Sequence, residues 1–472
     1  MPQDLTTDTQ IQIYTIFPTN KYNRPPPPSE VPLHGLDLLA APIQIRNHRF
    51  YHPPTPTGKY DSLFFKKLKD SLAEALELYP AVAGTIKANE KGEAILAMGV
   101  NDRLGTPYTM EVNDIAFSGD NETLTPRHEQ ILPPISPTLA VKVTRFSCGT
   151  IAIATSLNHQ VADLRGFLDF LETWAQLVRG DPVDLTLIPD DWSRTPGRFF
   201  PDYYKKSSKP PPPPGFAILA DPATGPSPYL LAPSEASRWT LSKKDIERLK
   251  QDFSPSGGSN SKQWVSSGDA IAALLSGAIT RAREDAKVTR LEGRSSVSSE
   301  IEIIAAAADG RERAPLGDMQ GKYYGNFNPL FCTTVSRSDL LSPSNESSSR
   351  VALAIRNALT NQLSPQALAD KISFFEAEQN SKPPGRIVWN ADIILTNWSR
   401  FYLQGPKFDL GWGQPFGATA GSGGPYPPGY VVMMQDKRSE DIQFLVAIEK
   451  EGAAGLKDDP LLTKYAKIAS VL

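Results

Sequence analysis

A run of five prolines, Pro210 to Pro214, sits near the middle of this 472-residue chain and limits its fold more than any other feature. Proline fixes φ and has no backbone N–H. No helix or central strand can continue through such a run, which favours extended polyproline II. The surrounding stretch, 201–235, is rich in Pro, Lys and Ser and is expected to link an N-terminal part, 1–200, to a C-terminal part, 236–472. The length fits this division, because a single core stops growing near roughly 250–300 residues.

Both parts read as mixed α/β. Asp61 to Leu78 carries Leu68, Leu72, Ala75, Leu76 and Tyr79 on one helical face, and Pro80 ends it. Leu139 to Phe146 and Thr150 to Leu157 read as two strands joined by a Cys148-Gly149 turn. Leu164 to Val178 reads as an amphipathic helix, stopped by Gly180 and Pro182. In the second part Ser242 is placed to cap a helix with Asp245 in its first turn, and Ser267 to cap another running to Arg283. Ile301 to Ala308 is either a strand or a short buried segment. Ile387 to Leu395 and Tyr430 to Met434 read as strands, while 285–298 and 337–349 are polar, Ser-rich and expected to be loops.

Hydrophobic residues make up 40% of the chain and charged residues 21%, enough apolar material for a packed core. The net charge of -3 argues against a nucleic-acid partner, which usually calls for a basic excess. Cys148 and Cys332 stand apart from each other and from any histidine, so no metal site or disulfide framework is expected. No apolar run approaches the ~18 residues that span a bilayer, and the N-terminus shows no signal-peptide pattern. A cytoplasmic protein with no membrane partner is the expectation.

Of the five histidines, His34, His48, His52 and His128 sit among polar or proline-rich residues with no charged partner at useful spacing. His159 differs. It follows an apolar strand and precedes an amphipathic helix, a junction where a strand aims a side chain and a loop exposes it. Asp163 is four residues on, giving His159-Gln-Val-Ala-Asp163. On its own, His159 is also compatible with a buried structural histidine, and Asp163 with a helix cap. Thr396-Asn397-Trp398 follows a strand and offers a hydroxyl and an indole N–H, donors suited to a developing oxyanion. Asp409-Leu410-Gly411-Trp412-Gly413 has two glycines around an aromatic, which suits a tight turn.

Taken in order, the HxxxD of His159 and Asp163, the TxW of Thr396 and Trp398, and the DxGWG of 409–413 resemble the BAHD acyltransferase family. The fungal branch that includes the trichothecene acetyltransferases is the most similar. Further blocks agree: Pro32-Leu33 through Asp37, Tyr79-Pro80-Ala81-Val82-Ala83-Gly84, Asp309-Gly310-Arg311, and Tyr323-Tyr324-Gly325-Asn326. Leu164 stands where the family often has Gly, and Leu410 where it usually has Phe.

The resemblance implies two chloramphenicol-acetyltransferase-like lobes with a channel between them, and an acyl-CoA co-substrate, acetyl-CoA above all, with no metal. His159 would be the general base that moves the acyl group directly to a hydroxyl, or an amine, of a small secondary metabolite, with Thr396 or Trp398 stabilising the oxyanion. Asp163 would pair with an arginine, Arg281 or Arg283. Asp409, Gly411, Trp412 and Gly413 would form a supporting turn. Lys243 and Lys244 are candidates for the coenzyme A phosphates, against the plainer reading of a solvated helix start. A monomer suffices for this arrangement. A carrier-protein-dependent condensation enzyme and a non-catalytic small-molecule-binding relative are the competing readings.

Overall fold

The strand Ile151–Asn158 is buried along its whole length, the mark of a central strand covered on both faces. In a computed structural model of the chain it lies inside a six-stranded sheet. The order across that sheet is Gln10–Ile16, Thr106–Val112, Leu139–Arg145, Ile151–Asn158, Gln44–Tyr51 and Gly417–Thr419. The structure describes residues 10–471 apart from 34, 41–42, 54–61, 127–135, 206–209, 222–231, 256–262, 289–299, 317–322, 378–385, 390 and 422–425.

Two helices belong with this sheet, Ser62–Leu78 and Leu164–Arg179. They pack on each other, and the Trp174 indole N–H donates to the Leu68 carbonyl at 3.2 Å. Leu68, Leu72, Leu76 and Phe167 are wholly enclosed. Burying each such side chain contributes about 1.5–3 kcal/mol, so this apolar stripe fixes where the N-terminus of the second helix points. That helix ends at Gly180, whose φ of +83° gives the left-handed cap that glycine adopts without strain. A small sheet, Glu30–Pro32, Ala94–Ala97 and Thr85–Ala88, completes the described strands of this unit.

A second sheet of seven strands organises the other unit. Its order is Leu330–Ser336, Ile301–Ala307, Ile393–Asn397, Tyr430–Gln435, Ile442–Glu449, Ser234–Leu241 and Ala466–Val471. Ile393–Asn397 lies parallel to both of its neighbours. The helices Lys243–Asp252, Ser267–Asp285 and Asn345–Gln362 belong to this unit.

The units are not simple halves of the chain. The first comprises Met1–Pro196, Met319–Phe327 and Leu403–Gly424, and the second Gly197–Asp318, Asn328–Tyr402 and Pro425–Leu472. The Asp409–Gly413 turn therefore belongs to the first unit, not to a C-terminal lobe. The reason is local: Trp412 packs edge-on against Phe64 at 4.3 Å, and its indole N–H donates to the His52 carbonyl. The expected linker also carries structure among its described residues. Phe216–Ile218 pairs with Ile387–Trp389, and the Tyr204 hydroxyl donates to Glu376.

Other readings change as well. Ile387 to Leu395 is two strands in two different sheets, parted at Ala391-Asp392, where the Asp392 carboxylate accepts from the Ile303 N–H. The segment 337–349 is helical: Arg337–Leu341, then Asn345–Gln362 capped by Ser344. The helix expected from Ser267 is capped by Ser266, which forms a capping box with Asp269. Ile301–Ala307 is a strand. The expected loop 285–298 lies, from residue 289, outside the described residues.

Candidate active site

Asn158 ends the central strand, and its side-chain oxygen accepts from the Gln160 N–H at 3.0 Å. This Asx turn swings the chain out of the sheet at His159, whose own N–H still bonds the carbonyl of Ile43, the residue just before the neighbouring strand Gln44–Tyr51. The residue is thus fixed at the end of the central strand, where it is half-buried.

Nδ1 of His159 lies 2.9 Å from Oδ1 of Asn326. The orientation of that amide is set by groups that can only accept. Its Nδ2 donates to Asp37 Oδ1 at 2.7 Å and to the His159 carbonyl at 2.8 Å. Oδ1 must therefore be the atom facing the imidazole, and as an acceptor it requires a proton on Nδ1. In the neutral ring Nε2 then carries the bare lone pair, the form a general base needs. Burial is the main influence on this ring and pushes its pKa below the ordinary histidine value, against the opposing pull of its backbone, Asp163, Asn326 and Asp37. His159 is held neutral at neutral pH.

Behind Asn326, the Asp37 carboxylate accepts from the Asn326 backbone N–H at 3.0 Å and faces Arg194 Nη1 at 3.3 Å. Asp37, Asn326 and Arg194 are all buried. A carboxylate so enclosed is tolerable because it has a cation and several N–H donors around it. Gly325 permits the approach: a Cβ there would fall 2.5 Å from Arg194 Nη1.

Asp163 caps the helix Leu164–Arg179, accepting from Gly166 N–H at 3.1 Å, and its other oxygen accepts from Phe327 N–H at 2.7 Å. One buried carboxylate thus ties the 323–327 segment to the helix start beside His159. The two arginines expected to meet it are committed elsewhere: Arg281 is bidentate to Asp459, and Arg283 donates to Glu449 and to the Asp392 carbonyl. The Gly166 and Phe327 N–H groups orient the Asp163 carboxylate.

The Asp409–Gly413 turn has its own internal frame. Asp409 Oδ1 accepts from Gly411 N–H at 2.6 Å and from Gly413 N–H at 3.2 Å. Gly411 and Gly413 sit at φ of +97° and +136°, conformations that side chains disfavour. Arg179, in the last turn of the helix that begins beside His159, donates to the Asp409 carbonyl at 2.5 Å. Leu410 is buried as an apolar anchor.

In the second unit, Thr396 lies in the strand Ile393–Asn397. The Trp398 indole N–H donates to its hydroxyl oxygen at 3.1 Å. An indole has one hydrogen to give, so Trp398 is not an independent donor. It supports Thr396, whose O–H is left to donate elsewhere.

In the same unit a cavity of about 360 Å³ is lined by Asn397, Ser399, Ser266, Ser267, Gly268 and Lys243, among others. The N-terminus of the 19-residue helix Ser267–Asp285 opens on it. Helix N-termini favour anionic groups. Lys243 pairs with Glu440, which raises its pKa. Lys244 is exposed and does not line the cavity.

Other histidines find different places. His48 does have a carboxylate partner: its Nδ1 is 2.7 Å from Asp120, 72 positions away and invisible to spacing. His52 lies against Phe416, and His34 and His128 fall outside the described residues. Asn326 and Asp37 were legible only as members of motif blocks; no spacing rule marks an asparagine 167 positions from its histidine.

Among the described residues no helix is long and apolar enough to cross a membrane. A sequence profile of the Transferase family matches residues 9–462. Acyltransferase uat1 of Mycosarcoma maydis is 25% identical over 441 residues, covering 83% of this chain and 82% of that protein. A hydroxycinnamoyltransferase of Narcissus pseudonarcissus is 26% identical, covering 93% and 96%. Among solved structures, TRI101 of F. graminearum with coenzyme A and T-2 mycotoxin shares the fold at a TM-score of 0.72 and 17% identity, covering 93% of this chain and 99% of that one.

Proposed function

The chain belongs to the Transferase family, the BAHD-type acyltransferases, and on that premise we propose that His159 is the general base of a direct acyl transfer from acyl-CoA to a hydroxyl of a small metabolite. The chain is an acyl-CoA-dependent transferase. Acetyl as the acyl group, and a hydroxylated secondary metabolite as the acceptor, follow the resemblance to the fungal branch; an amine acceptor uses the same chemistry.

The observation that carries the proposal is the fixed Asn326 amide, which in the neutral ring puts the proton of His159 on Nδ1 and the lone pair on Nε2. A hydroxyl is a weak nucleophile until its proton is removed. Nε2 takes that proton as the acceptor oxygen attacks the thioester carbonyl carbon. Negative charge gathers on the carbonyl oxygen, for which Thr396, steadied by Trp398, is the proposed donor. The C–S bond then breaks and the leaving thiolate takes the proton from His159. Neither cysteine is needed as a nucleophile. Cys332 is buried and its thiol is pushed up to about 11, so little thiolate exists at neutral pH.

The cavity lined by Asn397 and the start of the helix Ser267–Asp285 is the proposed seat of the donor, with Lys243 and the helix N-terminus meeting its anionic end. Asp163 and the Asp409–Gly413 turn act as supports that hold the residues around His159 in place.

The test is to incubate the purified protein with acetyl-CoA and a panel of hydroxylated metabolites, following free thiol and acylated product. Direct transfer predicts thiol release only when an acceptor is present, and no acetyl adduct on the protein with acetyl-CoA alone. A stoichiometric acetyl-protein adduct would overturn the direct mechanism.

A further inference from the structure

An exposed indole on a guanidinium bed stands beside the cavity and has no role in the reading so far. Trp264 is 59% exposed, among the most exposed large apolar side chains in the described residues. The Arg356 guanidinium lies 4.2 Å from its ring centroid. Arg356 is itself held: its Nε donates to Asp269 Oδ2 at 2.7 Å, and a second nitrogen pairs with the same carboxylate. Asp269 is buried in the first turn of the helix Ser267–Asp285, where it completes the capping box with Ser266. Ser266, Ser267 and Gly268 line the cavity. Trp264 precedes that lining by two residues, and Val265 between them is buried.

Each link in this series restrains the next. The capping box fixes Asp269, Asp269 fixes the guanidinium plane, and the guanidinium supports one side of the indole. A freely exposed tryptophan would lose considerable rotamer freedom on binding a ligand; this one has already lost much of it. More than half of the residue stays exposed to solvent. A flat heteroaromatic ring is the ligand chemistry that such a platform recognises, and the donor assigned to the neighbouring cavity carries one at its nucleotide end.

We infer that Trp264, bedded on Arg356, is the stacking platform for the purine of the acyl-CoA donor. The inference rests on the acyl-CoA reading and goes beyond it, because it assigns the nucleotide end to a residue that touches none of the reacting atoms.

The experiment measures binding of coenzyme A, and of 4'-phosphopantetheine lacking the nucleotide, to the full chain by calorimetry. Wild type, Trp264→Ala and Trp264→Phe are compared, with thermal melting to check that each is folded. Loss of one base-stacking aromatic weakens binding by roughly tenfold or more. Trp264→Ala should therefore lose that factor toward coenzyme A and none toward phosphopantetheine, while Trp264→Phe keeps most of the affinity. Unchanged coenzyme A binding in Trp264→Ala would overturn the inference and leave the acyl-CoA reading intact. An equal loss for both ligands would also overturn it, because it would mean that Trp264 shapes the cavity instead of meeting the base. Failure of the wild type to bind coenzyme A would remove the acyl-CoA reading first, and this inference with it.

Discussion

The amide oxygen of Asn326 faces Nδ1 of His159 at 2.9 Å, and the Asp37 carboxylate keeps that amide from turning round. Asn326→Ala removes the acceptor that selects the tautomer and takes two donated N–H bonds from Asp37 and the His159 carbonyl. Turnover should fall by a sizeable part of the ~10²–10⁴ that a general base contributes, while coenzyme A affinity stays unchanged. Steady-state kinetics beside calorimetry checks the split.

The same pair sets a pH dependence. The folded protein holds His159 with its pKa below the ordinary 6.5, chiefly through burial. The acid limb of the rate profile should therefore fall below pH 6.5, where the base becomes protonated. Stability follows the same sign. The unfolded chain takes up the proton at higher pH than the folded one, so this residue's contribution is fully present above the unfolded pKa and is lost as pH falls through the folded value. A loss of activity on raising pH through 7 would contradict the assignment of His159 as base.

Thr396 and Trp398 share one hydrogen bond, so their substitutions should not add. Thr396→Val removes the proposed oxyanion donor and should lower turnover by about 10²–10³. Trp398→Phe leaves the hydroxyl in place and should cost less. The double variant should match Thr396→Val. Full additivity would mean that the indole acts on its own.

Asp163→Ala should act on the fold before the chemistry. It removes an N-cap, worth about 0.5–2 kcal/mol, and leaves the buried Phe327 N–H without its acceptor. A lowered melting temperature with turnover reduced alongside it is the expected result. Asp163→Asn, which keeps an acceptor oxygen, should recover part of both.

Gly413→Ala should destabilise through the backbone alone. At φ +136° nothing lies within 4 Å of where a Cβ would stand, so any loss reports strain and not a clash. About 1–3 kcal/mol is the expected cost, read by denaturant unfolding.

Much of this was legible in the chain. The helix from Leu164 declares itself by apolar spacing, and His159 by its place after an apolar strand. What escaped reading shares a physical cause. Ser344 caps a helix that begins inside a Ser-rich stretch, while its buried apolar stripe, Val351, Ala352, Ile355 and Ala358, starts only beyond it, so composition read as loop. Ile387 to Leu395 looks like one strand because two apolar runs, Ile387 to Trp389 and Ile393 to Leu395, stand close together, yet Ala391-Asp392 parts them between two sheets. Asn326 meets His159, Asp37 meets Asn326 and Asp120 meets His48 only through tertiary packing, which no local period encodes. The sharing of one hydrogen between Trp398 and Thr396 depends on side-chain geometry, to which a TxW pattern is blind.

The most direct measurement is acceptor-dependent thiol release from acetyl-CoA by the wild type and by His159→Ala, with circular dichroism to show that both are folded. The account predicts release from the wild type and a fall of about 10²–10⁴ in the variant. Equal rates from the two folded proteins would contradict it, because the proton would then leave the acceptor without His159.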